Sequence, residues 1–328
     1  MAEETALFCV DMGTTRTRVW LTRGAQVYAL LVRDFGVRDA TRGLNLQSTL
    51  IDLLDETAMV AGLNGNGNTN RKVAAAGMIS SAQGLLEVPH VLAPAGADAL
   101  AASVRRIFLG PNDQYELSVI PGVRTRSGTS TVAEILKSDI MRGEETLCVG
   151  LISLGLLRPE EAVLNLGSHW KWIWLDASAR VASSRTFLTG EMIHAIQSHT
   201  LLTSALPQKS PTALEEEWLA LGAAEARRSG LSRALFCVRL LQQANRGTGD
   251  QRLAFLYGAF LEVEAEMLRK AKILQNVRSL CIVGTPALAE AWKARLDKEG
   301  ITANVLEEAQ RDAAYLAGLR KIVASKVC

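Results

Sequence analysis

Two short apolar runs, residues 6–10 and 162–166, each end in a polar, glycine-bearing turn and are each followed by a second apolar run, 18–22 and 172–176. The two units stand about 155 residues apart. Each opens a region that mixes strand-like and helix-like spacing. Such self-similarity, carried by pattern and not by identity, points to a duplicated unit. Mixed strands and helices argue an α/β fold. The simplest architecture is two α/β domains around a central cleft. A chain of 328 residues is also longer than one core supports comfortably.

The pattern places a helix over 47–61, a glycine/asparagine-rich loop over 63–70 and a buried strand over 72–76. A helix is expected over 97–108 and a strand over 117–120. A further helix is expected over 144–157 and a late strand over 279–283 that feeds a helix over 287–299. Helices dominate after residue 191. The domain boundary is expected near 138/139, with a hinge over 121–139 about which the domains close on ligand. A last helix over 311–323 is expected, free to pack back on the first domain.

Composition narrows the class. With 48% hydrophobic and 21% charged residues, the chain can bury a sizeable core. A net charge of +2, without a long run of like charges, gives no footing for a nucleic-acid partner. No stretch approaches the ~18 apolar residues of a membrane span. The beginning of the chain does not read as a signal peptide, so the cytoplasm is the expected location. Cys9, Cys148, Cys237, Cys281 and Cys328 are far apart, which disfavours a zinc site or a disulfide framework. The four histidines, His90, His169, His194 and His199, offer no metal-ligand spacing on a helix face.

Five constellations carry possible chemistry. Asp11, Met12, Gly13, Thr14 and Thr15 supply a carboxylate for a magnesium shell, a glycine for close approach, and hydroxyl and amide donors for phosphate oxygens. The same residues also make an ordinary hairpin turn. The Walker-type P-loop pattern is absent. Gly167, Ser168, His169 and Lys171 repeat the logic with donors suited to an anion, while Trp170, Trp172 and Trp174 alternate and share one strand face. Asp139, Arg142, Glu144 and Glu145 lie at the head of an expected helix. There the helix dipole favours acids on its own, and a general base is equally placed. Met78, Ser81 and Gln83 follow the buried strand at 72–76, where ligands of α/β proteins gather. Gly284, Thr285 and Pro286 spell a helix entry that also leaves room for a nucleoside.

The order of these segments resembles the 2-dehydro-3-deoxygalactonokinase family, over nearly the whole length. The most telling stretches are Met141, Arg142, Gly143, Glu144, Glu145, Thr146 and Arg185, Thr186, Phe187, Thr189, Gly190, Glu191. The resemblance implies the sugar kinase/actin/heat-shock-chaperone superfamily. That means two ribonuclease-H-like domains, ATP and Mg²⁺ as cofactors, and transfer of phosphate to the terminal hydroxyl of 2-dehydro-3-deoxy-galactonate in galactonate breakdown. It implies that Gly13, Thr14 and Thr15 form the first phosphate turn and Gly167, Ser168, His169 and Lys171 the second. Gly284 and Thr285 then belong to the adenosine site.

On this reading Asp11 organises Mg²⁺, through water. Glu144 is the favoured base, with Glu145 and Asp139 open, and Arg142 is a clamp for phosphate or acid. The partner is a small sugar acid; no nucleic acid or membrane is expected, and a homodimer is left open. One departure bears on substrate: the family usually has Arg and Trp where this chain has Ala82 and Leu85. Met78, Ser81, Gln83 and Arg124 are the candidate substrate contacts, with Arg126 a further cation beside them. A phosphohydrolase and a non-catalytic ATP- or sugar-binding regulator use the same fold, which does not dictate function.

Overall fold

The computed structural model describes residues 5–63, 70–126 and 131–325. Most of the loop read at 63–70, part of the stretch read as a hinge at 121–139, and Cys328 fall outside them.

In chain order the first elements are β1 (Leu7–Met12), β2 (Thr17–Arg23), β3 (Gln26–Arg33), α1 (Val37–Ala40), α2 (Leu46–Val60), β4 (Arg71–Gly77), β5 (Val91–Leu92), α3 (Ala97–Ala102), β6 (Arg105–Leu109), β7 (Tyr115–Val119), β8 (Val123–Arg124), α4 (Val132–Ile135), β9 (Ile140–Met141) and α5 (Glu144–Ser153). Then come β10 (Ala162–Leu166), β11 (Trp170–Leu175), β12 (Val181–Phe187), α6 (Thr189–His199), α7 (Glu216–Ser229), α8 (Leu231–Gln243), α9 (Gly249–Lys270), β13 (Ser279–Val283), α10 (Pro286–Asp297), β14 (Thr302–Val305) and α11 (Glu308–Ala324). The chain divides into two compact units. One holds Met1–Glu160, Trp174–Ser184 and Glu308–Cys328; the other holds Glu161–Ile173 and Arg185–Glu307. The boundary therefore does not fall at 138/139. Helix α5 packs on α11, which keeps residues 139–160 with the first unit.

The first sheet has the order β3-β2-β1-β4-β7-β6. Strands β1, β2 and β3 form an antiparallel meander, while β4 and β7 run parallel to β1. The other large sheet has the order β12-β11-β10-β13-β14, with β10, β13 and β14 parallel. Both repeat one plan, in which the first strand is flanked by a meander on one side and by parallel strands on the other. This is the ribonuclease-H-like α/β arrangement expected from sequence. Parallel neighbours need crossover connections, and helices supply them.

In the first unit, Phe8, Val10, Val19, Leu21 and Leu117 pack with Leu50 and Leu54 of α2 in one core. Trp20 meets Tyr315 of α11 with ring centroids 6.2 Å apart. In the second unit, Trp170 and Trp172 are buried edge-on against Trp292 of α10, each 5.8 Å from it. Their alternation in sequence thus marks a packed strand face.

Several expectations shift. Asp11 and Met12 belong to β1, and Trp170 and Lys171 to β11, so both turns are shorter than read. The helix expected over 97–108 stops at Ala102. Residues Arg105–Leu109 form β6, antiparallel to β7. Strands β3, β12 and β14 had no clear signal in the sequence. Cys9, Cys148 and Cys281 are buried, and Cys237 is half-buried. Among the described residues, no helix is long and apolar enough to cross a membrane.

Candidate active site

The first turn, Gly13 to Arg16, joins β1 to β2 and is closed by the Gly13 amide donating to the Arg16 carbonyl at 2.8 Å. Val37 and Arg38 amides donate to the carbonyls of Gly13 and Thr14, so the turn rests on the start of α1. Gly36 is required there, because a Cβ would lie 2.4 Å from the Gly13 carbonyl oxygen. With the carbonyls of Gly13, Thr14 and Arg16 engaged, the turn keeps the donors of Thr14 and Thr15. The amides and hydroxyls of Thr14 and Thr15 make no hydrogen bond among the described residues.

Asp11, at the end of β1, is held from two sides. Its Oδ2 accepts from Arg18 Nε at 3.1 Å and from Arg18 Nη2 at 2.7 Å. Its Oδ1 accepts from the Tyr315 hydroxyl at 3.1 Å. Arg18 also reaches Asp312 at 2.9 Å and lies over the Trp20 ring. Burial, and then the Asp11 and Glu145 carboxylates, raise the Tyr315 phenol well above its usual range, so it remains a donor. Arg18, Asp312 and Tyr315 did not figure among the sequence candidates. Arg18 is brought to Asp11 by the pairing of β1 with β2, and Asp312 and Tyr315 come from α11, some 300 residues further along the chain.

Next to Oδ1 stands Gly77, with φ of 92°. A Cβ there would come within 3.3 Å of Oδ1 and within 2.6 Å of the Met12 carbonyl oxygen. A carboxylate offers about four acceptor positions. Three are taken by Arg18 and Tyr315, which leaves about one for a water or a cation. No group of three or more metal-ligating side chains occurs among the described residues.

Gly143, φ 105°, lies close to Gly77 and begins α5. The three candidate carboxylates then part ways. Glu145 is fully buried and both its oxygens accept from the Gly143 amide, at 2.8 and 2.9 Å, which closes the helix start. Asp139 accepts from Ser184 Oγ at 2.5 Å, and its backbone is tied to Thr125. Glu144 is half-buried and accepts from the Arg142 amide at 3.2 Å.

Arg142 donates to Ser80 Oγ at 2.7 Å and to the Val88 carbonyl at 3.1 Å, and lies 3.4 Å from His90 Nδ1. It ties the 78–90 loop to the start of α5. In that loop Ser81 Oγ donates to the Met78 carbonyl at 2.7 Å, and Met78 packs against the core. Gln83 and Ala82 are exposed; Leu85 packs inward. Arg124 in β8 is half-buried, and its guanidinium has no partner among the described residues.

In the second unit, Gly167 and Ser168 are exposed at the end of β10. The head of α6 braces them. The Glu191 amide donates to the Ser168 carbonyl at 2.7 Å, and Glu191 Oε2 lies 3.1 Å from His169 Nε2. A Cβ on Gly190 would lie 2.4 Å from the Gly167 carbonyl oxygen. Thr189 anchors this corner by donating to buried Glu264. Thr189, Gly190 and Glu191, part of the segment that carries the family resemblance, thus support the turn. Lys171 is buried in β11. Gly284, at the end of β13, packs on Leu166, where a Cβ would meet the Leu166 Cβ at 2.8 Å. Thr285 precedes α10.

Residues 11–322 match the family model of 2-keto-3-deoxy-galactonokinase. The chain belongs to that family. It is a carbohydrate kinase. It is 26% identical over 322 residues to the 2-dehydro-3-deoxygalactonokinase of Escherichia coli (strain K12), covering 95% of this chain and 96% of that protein. It is 27% identical over 245 residues to a protein described as a 2-dehydro-3-deoxygalactonokinase in Rhizobium meliloti (strain 1021), covering 74% of each. The crystal structure of a protein assigned the same activity in Sinorhizobium meliloti superposes with a TM-score of 0.76 at 24% identity, covering 96% of both chains. An activator of 2-hydroxyisocaproyl-CoA dehydratase from Clostridium difficile, with bound ADPNP, shares the fold at a TM-score of 0.50 and 10% identity, covering 98% of this chain and 96% of that one.

Proposed function

We propose that this kinase transfers the γ-phosphoryl group of ATP to the terminal hydroxyl of 2-dehydro-3-deoxy-galactonate or a closely related keto-deoxy sugar acid. One observation carries the reading: the turn after β1 has the carbonyls of Gly13, Thr14 and Arg16 tied into the protein while the amides and hydroxyls of Thr14 and Thr15 are open among the described residues. A cluster of free donors on a rigid turn suits phosphate oxygens. The exposed Gly167–Ser168 turn, braced by Glu191, is the second such element, and Gly284 with Thr285 is the place for adenosine. Mg²⁺, when bound, neutralises charge on the phosphate oxygens; Asp11 would hold it through water.

The protein's part in the chemistry is positioning and proton transfer. Glu144 takes the proton of the attacking hydroxyl. Glu145 is committed to the Gly143 amide and Asp139 to Ser184. Arg142, fixed by Ser80 and Val88, orders the loop over which the sugar lies. Ala82 supplies no charge, so Arg124 receives the substrate carboxylate on this reading, with Arg126 close to it in sequence.

A coupled ADP-release screen over keto-deoxy acids, aldonates and neutral ketoses tests the reading. ADP release stimulated by 2-dehydro-3-deoxy-galactonate is expected, at a rate below that of family members with Arg at the Ala82 position. ATP hydrolysis indifferent to sugar would indicate a phosphohydrolase, and ATP binding without turnover a regulator.

A further inference from the structure

Away from both turns, the second unit holds a cavity of about 310 Å³ between α7, α9 and α10. It is lined by Arg227, Arg269, Arg295 and Lys298 around Glu262. Glu262 is 2% exposed. All three guanidinia converge on it. Arg227 Nη1 lies 2.9 Å and Arg295 Nε 3.2 Å from its Oε2, and Arg269 Nη2 lies 3.1 Å from its Oε1. Glu299 takes a second contact from Arg295 at 2.8 Å and from Arg269 at 3.4 Å.

Each arginine sits in the last turn of its helix, where the dipole favours a cation. That explains one arginine per helix end. It does not explain why three helices aim theirs at one carboxylate. A buried glutamate needs a single well-placed partner, and here the cations stay in excess. Even with exposed Glu216, 3.9 Å from Lys298, and Glu266, which pairs with Lys270 and lies within the field of Arg269 and Arg227, the cations outnumber the carboxylates five to four. Each guanidinium has five N–H donors. Most of those on these three arginines meet no acceptor among the described residues. Their planar forks are held in place by Glu262 and Glu299, which is the preorganisation that phosphate recognition requires. The cavity continues into a smaller groove with an apolar floor of Leu219, Gly258, Leu261, Ala291 and Ala294.

We infer that this cavity is an anion site for a phosphate group, separate from the catalytic turns. Arg295 is about ten residues along α10 from Thr285, or ~15 Å at the rise of an α-helix. The site thus lies at the far end of α10 from the place given to adenosine. The ligand is free phosphate or a phosphate ester whose organic body lies in the apolar groove.

The experiment is a titration of the full chain with sodium phosphate. It is followed calorimetrically and by thermal shift, against sodium chloride at matched ionic strength. An excess of a non-hydrolysable ATP analogue with Mg²⁺ is present throughout to occupy the catalytic turns. Saturable phosphate binding is expected. The double variant Arg227→Gln with Lys298→Gln should weaken it by ~10-fold or more, since charge-assisted hydrogen bonds are lost, while sugar-dependent turnover in phosphate-free buffer stays unchanged. A parallel arm with a sugar-acid 6-phosphate separates the sources: tighter binding than free phosphate assigns the groove to the organic body, and equal binding assigns the site to free phosphate. The idea fails if wild type responds to phosphate no more than to chloride. It also fails if the variant is less stable yet binds phosphate with the same midpoint, which would mean that the arginines only tie the helices together.

Discussion

Asp11 shows how little of a site residue's environment lies in its own segment. The turn chemistry around it is readable from Gly13, Thr14 and Thr15, whereas the groups that orient it, Arg18 and Tyr315, are set by a strand pairing and by the last helix. Asp11→Asn is expected to lower turnover by ~10²-fold or more with the fold intact. Tyr315→Phe removes one hydrogen bond and nothing else. It should raise the Mg²⁺ concentration needed for half-maximal rate, with a smaller effect on maximal rate, as a steady-state titration of Mg²⁺ would show. For the base, Glu144→Gln should remove most turnover while nucleotide affinity persists. Full activity in that variant together with loss in Asp139→Asn would transfer the role to Asp139. Glu264 is a different case. Burial raises its carboxyl above the usual 4.5, against the lowering effect of the Thr189 hydrogen bond. A raised carboxyl favours folding below its unfolded value and loses that contribution as pH rises through the folded one. Glu264→Gln should therefore be relatively more stable than wild type at pH 7, with the difference shrinking as pH falls towards 4.5 in thermal melts across that range.

Elements were legible where their own period was strong. Strands β10 and β13 and helix α2 appear where alternation or helical spacing placed them, because a buried face leaves its period in the sequence. Residues 105–109 were lost to helix because Arg105, Arg106 and Phe108 are exposed on an outer strand, so only Ile107 and Leu109 carry the inward signal. Strand β3 was missed for a related reason: it is an edge strand, largely exposed on both faces. The glycines inside helices were unreadable too. A Cβ on Gly150 of α5 would lie 1.6 Å from the Ala314 carbonyl oxygen, and one on Gly318 of α11 would lie 2.0 Å from that of Thr146. The second unit repeats the device with Gly222 of α7 and Gly258 of α9, at 1.8 and 2.0 Å from opposing carbonyls. Reciprocal glycines let two helix backbones touch. Gly150→Ala or Gly318→Ala should cost about 1–3 kcal/mol by overpacking. Gly249→Ala, whose Cβ would meet nothing closer than 3.5 Å, should be neutral or slightly stabilising. Chemical denaturation of the three variants makes the comparison.

At the scale of the whole molecule, the duplicated strand–turn–strand signal gave the fold class, but the linear reading of two consecutive halves did not survive. The chain leaves the first unit after residue 160, rejoins it over Trp174–Ser184 and returns to it finally at Glu308. A pattern along the sequence cannot show that return, because α11 is amphipathic and would suit either unit. The contacts decide it: α11 packs on α5, α3 and β4 and buries Tyr315, Leu316, Leu319 and Ile322. At roughly 1.5–3 kcal/mol for each large side chain buried, those four contribute on the order of 6–12 kcal/mol. That is comparable with the entire stability of a typical domain, about 5–15 kcal/mol. Ending the chain at Glu307 should therefore unfold the first unit and not merely loosen its surface. It would uncover Leu147, Cys148 and Leu151 of α5 and strip Asp11 of its Tyr315 partner. Amide exchange followed by mass spectrometry should show β1, β4 and β7 exchanging without protection in the truncated chain, with sugar-dependent turnover abolished. Slow, native-like exchange in β1 and β4 after the truncation would mean that the sheet and α2 suffice for that core, and that α11 serves only to position Asp11.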